Sequence, residues 1–338
     1  MEQRKIMSLG RASLVISLPK HWTKSNKLKK GDIISVDVQR DNSLVVTPSG
    51  RRSKELKKGT LYIEQDDKED SIARRLVAYY LNGYSGIEMV SRKVFSAEQI
   101  KAIRRIVRML YMSIMESDSE RMSIETLIDE SKASITSGIQ RMHMIALSIC
   151  QDTLKAFRNQ DRSLADAVIS LDDDVDQFSF LILRLLRTAA LDPALANQLG
   201  LEPINCLDYQ TLVHRIEYAA NKAKNISRYI IKLMEAKQWM SDRLLAILLK
   251  LGVDAIESYN TAVYSFLSKD TTSCDQVIDC PKRIEEEDLA RVRALILLTE
   301  KKNELLICAI CSICDNIRSI AEYAADIAES NLHASLVK

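Results

Sequence analysis

Apolar and polar positions change their rhythm twice along this chain. Near the start, Ser13-Leu-Val-Ile-Ser-Leu18 has the composition of a strand at least half buried, and it ends at Pro19, which cannot continue a central ladder but suits a helix's first turn. The spacing predicts a short helix bearing His21, Trp22 and Lys24 as far as Leu28. Ile34, Val36 and Val38 then alternate with polar residues, Asp41-Asn42 is a turn pair, and Leu44-Val-Val46 returns as the hairpin partner. The predicted order is strand, strand, helical turn, strand, strand.

A charged join, Arg51-Arg-Ser-Lys-Glu-Leu-Lys-Lys58, marks a boundary, and beyond it the rhythm is mixed. Leu61-Tyr-Ile63 reads as a strand and Ser71 to Leu81 as a helix with Ile72, Leu76 and Tyr80 on one side. Ile87-Glu-Met-Val90 reads as a second strand. Ser96-Ala-Glu-Gln99 is a capping box opening a helix through Ile103, Ile106 and Leu110. Met112 to Leu127 holds one or two further strands. Arg104, Arg105 and Arg108 lie among acids without an aromatic platform and read as a solvated face.

From Ser131 onward the spacing is helical, broken near Asn159-Gln-Asp161, between Asp192-Pro193 and Pro203, near Asp270 and at Pro281, which predicts six helices, three and three. The halves repeat. Ala220-Asn-Lys-Ala-Lys-Asn225-Ile226 recurs 101 residues later as Ala321-Glu-Tyr-Ala-Ala-Asp326-Ile327. Val168-Ile169 with Val175-Asp176 recurs as Val277-Ile278 with Ile284-Glu285. Two correspondences in one order predict a duplicated three-helix bundle.

Charge sharpens this division. The net charge is only +2, but residues 1–58 hold fourteen Lys or Arg against five Asp or Glu, and the other 280 residues hold 34 against 41. A basic head on an acidic body fits a polyanion-binding module; the bland alternative is a solvated basic face. About 45 residues with so few large apolar side chains do not bury enough surface to fold alone, so a second copy is expected. Nine Gly and five Pro are few, and neither GxGxxG nor GxxxxGK[ST] occurs. Seven scattered cysteines without a hydrophobic leader read as a reducing cytoplasm. Cys308, Cys311 and Cys314 form no second pair and fit bundle packing better than zinc. His143 and His214 read as packing residues. No histidine is paired with a nucleophile and an acid, so no enzyme is read.

The head resembles a known family. Arg4-Lys5, Gly10-Arg11, Val15-Ile-Ser-Leu-Pro-Lys20, Trp22 and Lys30-Gly31-Asp32 together resemble the SpoVT/AbrB-like swapped-hairpin DNA-binding domain, in a variant seen in archaeal regulators. The resemblance implies a homodimer of interlocked hairpins on double-stranded DNA, with Arg4, Lys5, Arg11, Lys20 and Lys24 as the binding residues. The body resembles the PhoU phosphate-uptake regulators, most specifically through Arg215-Ile-Glu217-Tyr-Ala-Ala-Asn221-Lys-Ala-Lys-Asn225-Ile and Asp172-Asp-Asp-Val-Asp176.

These resemblances give a mainly α fold: a swapped-hairpin β domain (1–50), a linker with a small α/β unit (51–127), and tandem three-helix bundles (128–338, divided near 238). They imply a cytoplasmic transcriptional regulator of phosphate uptake. Its body would sense an effector or dock a phosphate transporter ATPase subunit or signalling protein. Two alternatives stand beside it, a PhoU-type adaptor that inhibits a phosphate transporter and an AbrB-like antitoxin. The PhoU resemblance also brings iron or zinc at E(D)xxxD motifs, with Asp172, Asp176 and Glu217 as candidates. Asn221 completes the second motif, and the other half offers Pro281 with Glu285 and Arg318 with Glu322. An arginine at a ligand position repels a cation. No run approaches the ~20 apolar residues of a membrane span.

Overall fold

The computed structural model describes residues 2–10, 13–38, 43–48, 57–285, 292 and 303–336. They fall into two compact units, Met1–Leu56 and Lys57–Lys338.

In the first unit, β1 (Met7–Leu9) and β2 (Ser13–Val15) pair antiparallel, with Met7 opposite Val15. Gly10 enters the turn at φ +73°. β2 is shorter than the apolar run around it because β1 offers only three residues to pair. Pro19 precedes α1 (Lys20–Ser25), which ends before Leu28. There Asn26 Nδ2 donates to the Trp22 carbonyl and Lys27 turns to φ 53°. β3 (Ile34–Val38) and β4 (Leu44–Pro48) form the second hairpin, Val38 opposite Leu44. The Asp41-Asn42 pair lies outside the described residues. No described residue of this unit is buried.

The second unit opens with β5 (Lys58–Ile63), α2 (Glu69–Leu81), β6 (Gly86–Ser91), α3 (Ala97–Met109), β7 (Met112–Ser117) and β8 (Arg121–Thr126). The sheet order is β5-β6-β8-β7, with β5 and β6 parallel across the α2 crossover and the other pairs antiparallel. The capping box forms: Ser96 Oγ accepts from the Gln99 N–H, and Gln99 Oε1 accepts from the Ser96 N–H, both at 3.1 Å. Ile72, Leu76 and Tyr80 of α2 and Ile103 and Val107 of α3 are buried with Ile63, Met89 and Ile124 of the sheet.

The helical body follows: α4 (Ile135–Asn159), α5 (Arg162–Leu191), α6 (Pro193–Leu199), α7 (Pro203–Glu235), α8 (Asp242–Ser268), α9 (Cys274–Ile278), α10 (Cys280–Arg283) and α11 (Glu304–Leu336). The breaks are local chemistry. Asp161 and Asp192 cap α5 and α6 by accepting backbone N–H groups, and Pro193 and Pro203 each start a helix. α4, α5 and α7 pack together as one bundle, α11 packs on α7 and α8, and α8 also meets α4. Of the six expected long helices, the fifth lies largely outside the described residues. Ala220, Ala223 and Ile226 and their repeat partners Ala321, Ala324 and Ile327 are all buried, so the repeated pattern marks close helix contacts. No helix among the described residues is long and apolar enough to cross a membrane.

One arginine ties the α/β sheet unit to this body. Arg184 of α5 is fully buried and donates through Nε to Glu130 Oε1 at 2.9 Å and through Nη1 to the Tyr84 carbonyl at 2.8 Å. Its guanidinium also lies 4.6 Å from the centroid of the Tyr80 ring.

Candidate nucleic-acid interface and acidic cluster

The basic residues of the head that lie among the described residues are all exposed. Lys20 and Lys24 stand one turn apart on α1, so they share a helix face, and both are exposed. Lys5 precedes β1 and is exposed too. No acid among the described residues pairs with these three lysines. Arg4 differs: it is bonded to Glu2, whose carboxyl it holds below the ordinary range, and His21 Nδ1 lies 3.8 Å from the same carboxylate. A phosphate reaching Arg4 would compete with Glu2 for its guanidinium. Arg11 lies outside the described residues.

The chemistry available here is electrostatic. Lysines on mobile stems neutralise phosphates and release counterions, and among the described residues of the head no helix has the length of a recognition helix. The same surface carries apolar side chains: Leu14 is 74% exposed, Ile33 77% and Val38 67%. Exposed apolar groups on both hairpins are what a second copy would cover.

The three acidic candidates of the body lie on two packed helices. Asp172 and Asp176 are one turn apart on α5, and Glu217 faces them from α7. Asp172 is buried at 3% exposure. Burial, with Asp172 and Glu217 as negative neighbours, pushes the Asp176 carboxyl up to about 7. Ser179 Oγ donates to Glu217 Oε2 at 2.6 Å, and His214 Nδ1 lies 4.0 Å from that oxygen.

A fourth residue, which the motif reading passed over, decides the character of this cluster. Lys224, two turns beyond Glu217 on α7, reaches across and binds Asp172 Oδ2. Asp172 Oδ1 is buried with no hydrogen-bond partner. The sequence did carry a signal, since the repeat position of Lys224 is the apolar Ala325.

In the other half, Arg318 Nη1 lies 3.6 Å from Glu285 and Nε 3.5 Å from Glu322. Among the described residues no three of His, Cys, Asp or Glu are placed to hold a metal ion. An iron or zinc ion at Asp172 would have to expel an ammonium already bound there, so the donor set as it stands does not fit the metal.

The other flagged residues have structural partners. His143 is buried, with Nδ1 3.2 Å from the Tyr259 hydroxyl and Nε2 3.0 Å from Asn260 Oδ1, and burial lowers its tendency to protonate. Arg105 pairs with Asp173 at 3.6 Å. Cys314 is buried, whereas Cys308 and Cys311 are exposed on α11.

Two family models match parts of the sequence. Residues 139–230 match the PhoU domain, from α4 through most of α7. Residues 9–54 match the antidote-toxin recognition domain MazE of bacterial antitoxins, which takes in β2, α1 and the second hairpin. A comparison with curated proteins found no match. The chain thus joins a MazE/AbrB-like head to a PhoU-like helical body.

Proposed function

We propose that the chain is a dimeric, DNA-binding regulator of phosphate supply. Its basic head engages double-stranded DNA, and its PhoU-like body senses an effector or docks a partner such as a transporter ATPase subunit. The observation that carries this reading is the head itself. Lys5, Lys20 and Lys24 are exposed with no acidic partner among the described residues, and Lys20 and Lys24 lie on the segment that matches a MazE-type domain and buries none of its described residues. Two copies covering each other's apolar surface would double the set of basic side chains facing DNA. A change in the body that alters the spacing of paired heads would then alter DNA affinity. The reading includes no catalytic step and places the protein in the cytoplasm.

The test is DNA binding by Lys20→Ala/Lys24→Ala, measured by fluorescence anisotropy across a salt series. Both residues are exposed, so the fold is retained. Across two copies the change removes up to about four phosphate contacts, and the slope of log K against log salt falls by up to about 3.6. An unchanged affinity and slope would remove DNA from the reading.

A second reading has its own support. The matched head model is that of an antitoxin, so the head could neutralise a toxin encoded beside it. Co-purification with the product of the neighbouring gene separates the two.

A further inference from the structure

We infer that side-chain cations built into the helical body, Lys224 in its first half and Arg318 in its second, stand in for the metal ions that the PhoU resemblance implies, so that the body is complete without a divalent metal.

The first half shows the replacement most directly. Asp172 is a carboxylate at 3% exposure, and a buried carboxylate needs a counter-charge or a proton. Lys224, itself mostly buried, supplies the counter-charge through one oxygen, Oδ2. The other oxygen, Oδ1, is left without a donor. That one-sided contact is what a point-charge ammonium on a flexible stem makes. A divalent ion placed on Asp172 would have to expel the lysine's ammonium from a buried site. Asp176 and Glu217 offer no alternative cage, because Ser179 holds one Glu217 oxygen and no third ligand residue joins them among the described residues.

The second half reaches the same result by a different residue. The 101-residue repeat places Arg318 at the position of Glu217, Glu322 at that of Asn221 and Asp326 at that of Asn225. The cation therefore occupies a ligand position outright, and Glu285 and Glu322 gather round it. Asp326 turns away to Arg215 of α7, Nε to Oδ2 at 2.9 Å. A lysine reaching in from two turns away and an arginine at the ligand position are unrelated solutions. Their agreement in charge is what points to a common requirement, a fixed positive charge between the helices of each half.

The experiment uses the full chain purified without a metal-binding tag. Elemental analysis should find no iron, zinc or manganese at one per chain, and the thermal midpoint should be unmoved by EDTA or by added Mn²⁺ or Zn²⁺. Lys224→Met should lower the midpoint by several degrees, because Asp172 is left buried and unpaired. Lys224→Met/Asp172→Asn, which removes both charges, should recover most of that loss. If the single variant does not fold, the double variant decides: recovery supports the inference, and failure to recover overturns it. Stoichiometric metal in the unaltered chain, with a midpoint that falls when EDTA removes it, overturns it as well.

Discussion

Leu14, Ile33 and Val38 of the head stand at 74%, 77% and 67% exposure, whereas Ile139, Ile216 and Ile320 of the body, spaced just as regularly along their elements, are at 0%, 0% and 2%. Apolar patterning is present in both regions, and only one of them is satisfied by its own chain. The reason is reach. Strands of three to five residues, each with a single partner, leave their faces uncovered. Each of the described helices of 25 to 33 residues packs against two or three others of that length. A bundle therefore closes its core within one chain, and a pair of hairpins needs something else to close on. The α/β unit lies between these cases: its sheet buries a core under α2 and α3, and it is fastened to the body by Arg184.

That fastening is where the comparison breaks most easily. Arg184→Met leaves Glu130 without its buried partner and removes the guanidinium donor from the Tyr80 and Tyr84 carbonyls, of which Tyr80 keeps the Gly83 N–H. Breaking a buried pair from one side costs about 3–5 kcal/mol. Urea unfolding of the variant should show that loss in the Lys57–Lys338 unit while DNA binding by folded protein stays intact. A loss under about 1 kcal/mol would mean that the two parts hold together without the arginine.

A smaller effect tests the head. On a single chain, Leu14→Asp changes an exposed residue and should cost almost nothing. If a second copy covers the hairpins, the same change removes a buried leucine, worth about 1.5–3 kcal/mol per chain. Light scattering across a dilution series should then show dimers dissociating at higher concentrations than the unaltered protein, with salt-sensitive DNA binding falling in parallel. An unaltered mass at every concentration would leave the exposed apolar surface unexplained by pairing.

How far the chain could be read in advance follows from the range of each signal. The Ser96–Gln99 capping box, the helix start at Pro203 and the alanine spacing of the repeat act within a few residues and appear in the structure where the sequence places them, whereas the break expected from Pro193 to Pro203 holds the short helix α6. The two hairpins were legible for the same reason. What was not legible is long-range. Lys224 and Asp172 are 52 residues apart, and Arg184 and Glu130 are 54 apart. The carboxylates could be found because the resemblance names acidic ligands, and Lys224, although it stands within the Arg215–Ile226 stretch, is not at one of the ligand positions. An arginine at the centre of Phe180-Leu-Ile-Leu-Arg184-Leu-Leu could have been flagged as buried from its neighbours alone, though its partner could not.

The smallest effect probes the difference between a paired and an unpaired acid within the body itself. Asp176 has its carboxyl pushed up to about 7 by burial and by Asp172, Glu217 and Asp173, against the opposing pull of Lys224. Its unfolded value is 3.8. The folded state thus holds a proton between about pH 4 and pH 7 that the unfolded chain has released, and stability from this residue falls as pH rises through that window. Asp176 is only half-buried, so solvent screening reduces the effect to about 1–2 kcal/mol. Asp176→Asn should match the unaltered protein near pH 4 and exceed it by that amount at pH 8. The gain should develop between the two pKa values and be complete above the upper one. Asp172→Asn should behave in the opposite sense, destabilising at pH 8, because it strands the Lys224 ammonium that its carboxylate holds. At pH 8 the two substitutions, one turn apart on α5, would then move stability in opposite directions, which separates an acid that has its own cation from one that borrows a proton instead.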